Sequence, residues 1–69
     1  MIKEKVGKRI KYLRIQNELS QEKLAEKCGL DRTYITSLEN GKRNISIINL
    51  EKIVSSLNIS LKEFFDFEN

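Results

Sequence analysis

Apolar residues recur every three or four positions along most of this sequence, and the recurrence breaks at a few short, polar places. In residues 2 to 16, Ile2, Val6, Ile10 and Leu13 share one helical face and leave the cations on the others, which predicts a first helix ending near Asn17. Ser20 then offers a hydroxyl N-cap, and Glu22 brings negative charge to a first turn whose dipole favours it. Leu24, Ala25 and Cys28 form the apolar stripe of a second helix from Gln21 to about Cys28. Asp31 can cap a third, from Arg32 to about Asn40, with Ile35 and Leu38 inward and Gly41 as its stop. Ser46 can cap a fourth whose Leu50, Ile53, Val54 and Leu57 keep helical spacing, and Asn58 suits its left-handed end. Ser60 can cap a short fifth helix holding Leu61, Phe64, Phe65 and, at its edge, Phe67. The expectation is an all-α fold of five helices.

The join between the second and third helices is the most informative break. Gly29 takes a left-handed φ without penalty, and only Leu30 separates it from the next cap. Helices joined so tightly cannot lie antiparallel, so they must cross steeply, in a helix-turn-helix arrangement. Ala25 fits such a crossing, because close approach near Ile35 leaves room only for a small side chain. The third helix is then about 14 Å long at 1.5 Å per residue.

With 69 residues the chain has room for a single domain, 1–69, close to the lower size at which one core sustains folding. Abundant aliphatic residues, no proline and a 33% charged fraction favour a helical globule over a β-rich or disordered chain. No apolar run is long enough for a membrane or signal segment, so a cytoplasmic protein with no membrane association is expected. One cysteine excludes an internal disulfide. With histidine absent there is no credible zinc set and no usual general base, so neither metal nor catalysis is expected. Cys28 reads as a small buried apolar residue. The net charge is only +3, yet six cations against Glu4 give residues 1 to 14 a balance of +5, while residues 51 to 69 carry −2. A basic N-terminal end attracts polyanions, although a solvated lysine-rich face accounts for the charge equally well.

The strings "SQxxLAxxxGL", "LENGKRN" and "LNIS", with an apolar residue at Ile35 between the first two, resemble at their spacing the Cro and repressor type of helix-turn-helix domain, the XRE-like group. This resemblance spans almost the whole chain and implies a lambda-repressor-like fold that binds double-stranded DNA, with the helix-turn-helix at about 20–40. More narrowly, "GLDRTYITSLENGKRN" is similar to the recognition helix and following loop of controller proteins of restriction–modification systems.

A short polar helix of this length suits the major groove, where the fork of Arg32 matches guanine O6 and N7, a contact worth roughly 1–3 kcal/mol of discrimination. The resemblance places base contacts on Arg32, Thr33, Tyr34, Thr36 and Ser37. It places phosphate contacts on Gln21, which would also brace Arg32, and on Lys42, Arg43 and Asn44, with outer contacts from Arg9 and Arg14. The alternatives are ordinary surface roles: Arg32 paired with Asp31 or Glu39, Tyr34 packed against the first helix or the loop, and Thr36 and Ser37 simply exposed.

One half-site read by one short helix gives too little specificity, so a homodimer on a near-palindromic operator is expected, with half-sites roughly 34 Å apart. Apolar residues in the C-terminal third exceed what a small core absorbs, which assigns the dimer interface to a region at about 45–67, mainly Ile48, Leu61, Phe64 and Phe65. The alternative is that they close the monomer core. In lambda-type repressors, acidic residues matching Glu22 and Glu26 touch the RNA polymerase sigma subunit, against the simpler pairing with Lys23 or Lys27. No cofactor or small-molecule ligand is expected. A phage-type repressor, an autoregulating antitoxin, or a protein-interaction module that does not read DNA are the competing readings.

Overall fold

The computed structural model describes residues 1–67. Five helices follow in order: α1 (Ile2–Gln16), α2 (Gln21–Cys28), α3 (Arg32–Glu39), α4 (Ile47–Ser56) and α5 (Leu61–Phe64). Four begin on the side chains foreseen for them. Ser20 Oγ accepts from the Lys23 N–H, Asp31 from Thr33, Ser46 from Asn49, and Ser60 from Glu63, whose carboxylate in turn accepts from the Ser60 N–H in a full capping box. Gly29 closes α2 at φ 72°, and Leu30 donates to the Ala25 carbonyl, so three residues turn the chain from α2 into α3. Asn58 is left-handed as anticipated, at φ 59°.

Every helix contributes to one core: Val6 and Ile10 from α1, Leu24 and Cys28 from α2, Ile35 and Leu38 from α3, Leu50, Ile53 and Val54 from α4, and Phe64 from α5. Burial pushes the Cys28 thiol up, as for an inert core group. Ile2 departs from the expected stripe and is exposed, whereas Val6 and Ile10 are buried. The meeting of α1 with α3 is close. A Cβ on Gly7 would lie 2.0 Å from the Leu38 carbonyl oxygen, so α1 lies on the last turn of α3 only because residue 7 has no side chain. Gly41, at φ 71°, lies less tightly against α1: a Cβ there would come within 2.8 Å of Glu4 Cγ. Helix α5 is shorter than expected: Phe65 is already its C-cap and Phe67 lies beyond it. Among the described residues no helix is long and apolar enough to cross a membrane, and no group of His, Cys, Asp and Glu could hold a metal ion.

Candidate nucleic-acid interface

Helix α3 is fastened to α1 and α2 at its C-terminal end. Glu39 is buried, and its carboxylate accepts from Arg14 Nε at 2.7 Å, Arg14 Nη2 at 3.0 Å and Gln21 Nε2 at 3.0 Å. The third nitrogen of Arg14 donates to the Leu19 carbonyl, and Glu39 holds the guanidinium charged, its pKa raised. Gln21 carries the network back onto α3, its side-chain oxygen accepting from Thr36 Oγ1 at 2.8 Å. An ion pair buried to this degree gives little net stability, but removing one partner strands a charge at a cost of about 3–5 kcal/mol.

At the other end of α3, Arg32 and Thr33 face solvent. Arg32 makes no ion pair among the described residues. Asp31 is occupied by the Thr33 N–H and hydroxyl. Tyr34 is half-buried: its hydroxyl accepts from Asn49 Nδ2 at 3.1 Å, tying α3 to α4, and the Arg43 guanidinium lies 4.9 Å above its ring. Thr33, Tyr34, Arg43 and Asn49 thus border one shallow cleft, while Arg32 and Gln21 border another at the N-terminus of α2. Lys42, Arg43 and Asn44 are exposed on the loop beyond Gly41. Lys3 lies across a third cleft from Arg43 and Asn44. The face therefore presents donors and cations from α1, α2, α3 and the α3–α4 loop.

The helix-turn-helix family HTH_3 matches residues 10–64. The chain belongs to this helix-turn-helix family. It is 52% identical to the control protein C.MunI of Mycoplasma sp. over 65 residues, covering 93% of this chain and 88% of that one. Among solved structures, the restriction–modification controller protein C.AhdI from Aeromonas hydrophila superposes with a TM-score of 0.88 at 43% identity, over 91% of this chain and 96% of that one. The controller protein C.Esp1396I, solved as a tetramer with its natural 35 base-pair operator, superposes with a TM-score of 0.90 at 41% identity, over 96% and 87% of the two chains.

Within this helix-turn-helix chain several site expectations need correction. Arg14 is not an outer phosphate contact: its side chain is 11% exposed and committed to Glu39 and Leu19. Arg9 is likewise engaged internally, donating to the Phe64 carbonyl at 2.8 Å and the Glu63 carbonyl at 2.9 Å. Gln21 braces Thr36 and Glu39 rather than Arg32, so its side chain is held in the network at the α2 N-terminus. Phe64 is 0% exposed and belongs to the monomer core, whereas Ile48, Leu61 and Phe65 are 64%, 39% and 47% exposed. Ile47, at 71%, adds to that surface. Glu26 pairs loosely with Lys23 at 3.6 Å, and Glu22 is exposed without an ion pair among the described residues.

The Arg14–Glu39 pair and Lys3 escaped the sequence reading. Glu39 had a signal, since a carboxylate in the last turn of a helix opposes the dipole and here sits next to the inward-facing Leu38. Lys3 had none beyond its place in the basic N-terminal run.

Proposed function

We infer that this chain is a sequence-specific, DNA-binding regulator of transcription, the controller protein of a restriction–modification system, acting as a homodimer on a near-palindromic operator. Regulation rather than catalysis is its activity. The observation that carries the residue roles is the contrast within α3: its last turn is bolted to α1 and α2, while Arg32 stands in solvent with no ion pair among the described residues. A rigidly mounted helix presenting a free planar fork suits base reading.

In this reading Arg32 and Thr33 meet base edges, and Tyr34, Thr36 and Ser37 shape the helix face that follows the groove. Lys42, Arg43, Asn44 and the α2 N-terminus at Gln21 hold phosphates. Ile48, Leu61 and Phe65, with Ile47, form the two-fold surface, and Glu22 is the acid offered to the RNA polymerase sigma subunit. Titrating operator and random duplexes over a range of salt tests the roles. Arg32→Ala should lose preference at one or two base positions, and Arg43→Ala should weaken every duplex alike and lower the salt slope by about 1. Equal affinity of the wild type for operator and random duplex would refute sequence reading. A Glu22→Ala variant that binds operator normally and still stimulates transcription fully would remove the polymerase contact.

A further inference from the structure

Helix α5 is only four residues long and cannot hold its shape alone. Two things fix it. Phe64 is plugged into the core from one side, and from the other the Arg9 guanidinium, mounted on α1, grips its C-terminal end. Nε donates to the Phe64 carbonyl and Nη2 to the Glu63 carbonyl, which also accepts from the Asp66 N–H. A cation there satisfies an orphan carbonyl and meets the negative end of the helix dipole. The same guanidinium lies near two aromatic rings, 5.6 Å from the centroid of Tyr12 and 5.5 Å from that of Phe67. Phe67 in turn stacks on Phe65 at 6.3 Å, and Phe65 meets Phe64 edge-on at 5.0 Å. A continuous series of contacts thus runs from Tyr12 through Arg9 and Phe67 to Phe65.

We propose that Arg9 is a positioning residue for dimerisation: by capping α5 and bracing Phe67 it sets the orientation in which Leu61 and Phe65 meet their counterparts in a second copy. The proposal rests on the homodimer reading above. Arg9 itself need not touch the partner or the DNA. An ammonium at position 9 offers its donors from a single nitrogen rather than from the two separated nitrogens that meet these carbonyls, and packs less well against aromatic faces, so the planar fork suits the site best.

The test is sedimentation of wild type, Arg9→Ala, Arg9→Lys and Phe67→Ala, with operator binding by the same proteins and by single-chain tethered dimers. Circular dichroism at the working temperature establishes that each variant retains its helices. The expected result is a dimer dissociation constant raised roughly tenfold or more for Arg9→Ala and by less for Arg9→Lys and Phe67→Ala. Tethering should restore the operator affinity of Arg9→Ala with the salt slope of wild type. Dimerisation of Arg9→Ala equal to wild type overturns the proposal. A loss that persists after tethering, with the salt slope lowered by about 1, overturns it in favour of a phosphate contact. Wild type that stays monomeric at every concentration refutes the homodimer reading itself, and this inference with it.

Discussion

At the C-terminal end of α3, the carboxylate of Glu39, on a side chain only 2% exposed, receives three hydrogen bonds from α1 and α2, whereas at the N-terminal end Arg32 lies in solvent with no ion pair among the described residues. Only about two turns separate them. The buried end carries the energetic risk and the exposed end is the one proposed to read DNA, so a change at one should damage the fold and a change at the other should damage only recognition. The middle of the helix joins the two regimes: Thr36 faces the interface yet is held by Gln21, and Tyr34 offers its ring to Arg43 while its hydroxyl is tied to Asn49.

The largest expected effect lies at the buried end. Arg14→Ala strands the Glu39 charge and should cost about 3–5 kcal/mol in chemical denaturation, enough to unfold much of so small a domain at 37 °C. Arg14→Met with Glu39→Leu should recover most of that loss; a single variant costing under about 1 kcal/mol would mean the pair does not anchor α3. Next comes Gly7→Ala, whose methyl meets the Leu38 carbonyl. It should lose roughly 1–3 kcal/mol or more as α1 is forced off α3, and an unchanged melting temperature would show that the two helices are not in close apposition.

Thr36→Val keeps the volume and removes the hydroxyl, leaving the Gln21 oxygen unpaired, and should lower stability by about 1 kcal/mol. Arg32→Ala should fall within about 0.5 kcal/mol of wild type in stability while altering base preference, and a large stability loss there would erase the contrast between the ends. The smallest effect concerns pH. The Cys28 thiol, held above its ordinary 9.0 by burial, keeps its proton in the folded chain while the unfolded chain ionises. Stability from this source is intact at neutral pH and falls as pH rises past about 9, and the slope should be shallower in Cys28→Ala.

Helix positions and their caps were legible because both are local: Ser20, Asp31, Ser46 and Ser60 each lie within three residues of the N–H they satisfy. What was not legible is what the chain brings together over distance. Arg14 and Glu39 are 25 positions apart, and Arg9 and Phe64 are 55 apart. Basic residues in one N-terminal run therefore looked interchangeable, although the two longest-reaching arginines serve the interior. The choice between Phe64 and Phe65 was equally hidden, since a single helical turn has too little periodicity to declare which ring points inward. Gly7 could have been noticed, as a glycine amid a helix, flanked by Val6 and Ile10 on the buried face, signals a close neighbour.

The four side-chain caps also bear on how fast this molecule assembles. Because four of the five helices carry their own starting signal, local turns can begin to form before any distant partner arrives, and docking then completes them. Helical domains of this kind reach the native state in microseconds to milliseconds. Folding would then be over long before the concentration-dependent meeting of two copies that the proposed dimer requires.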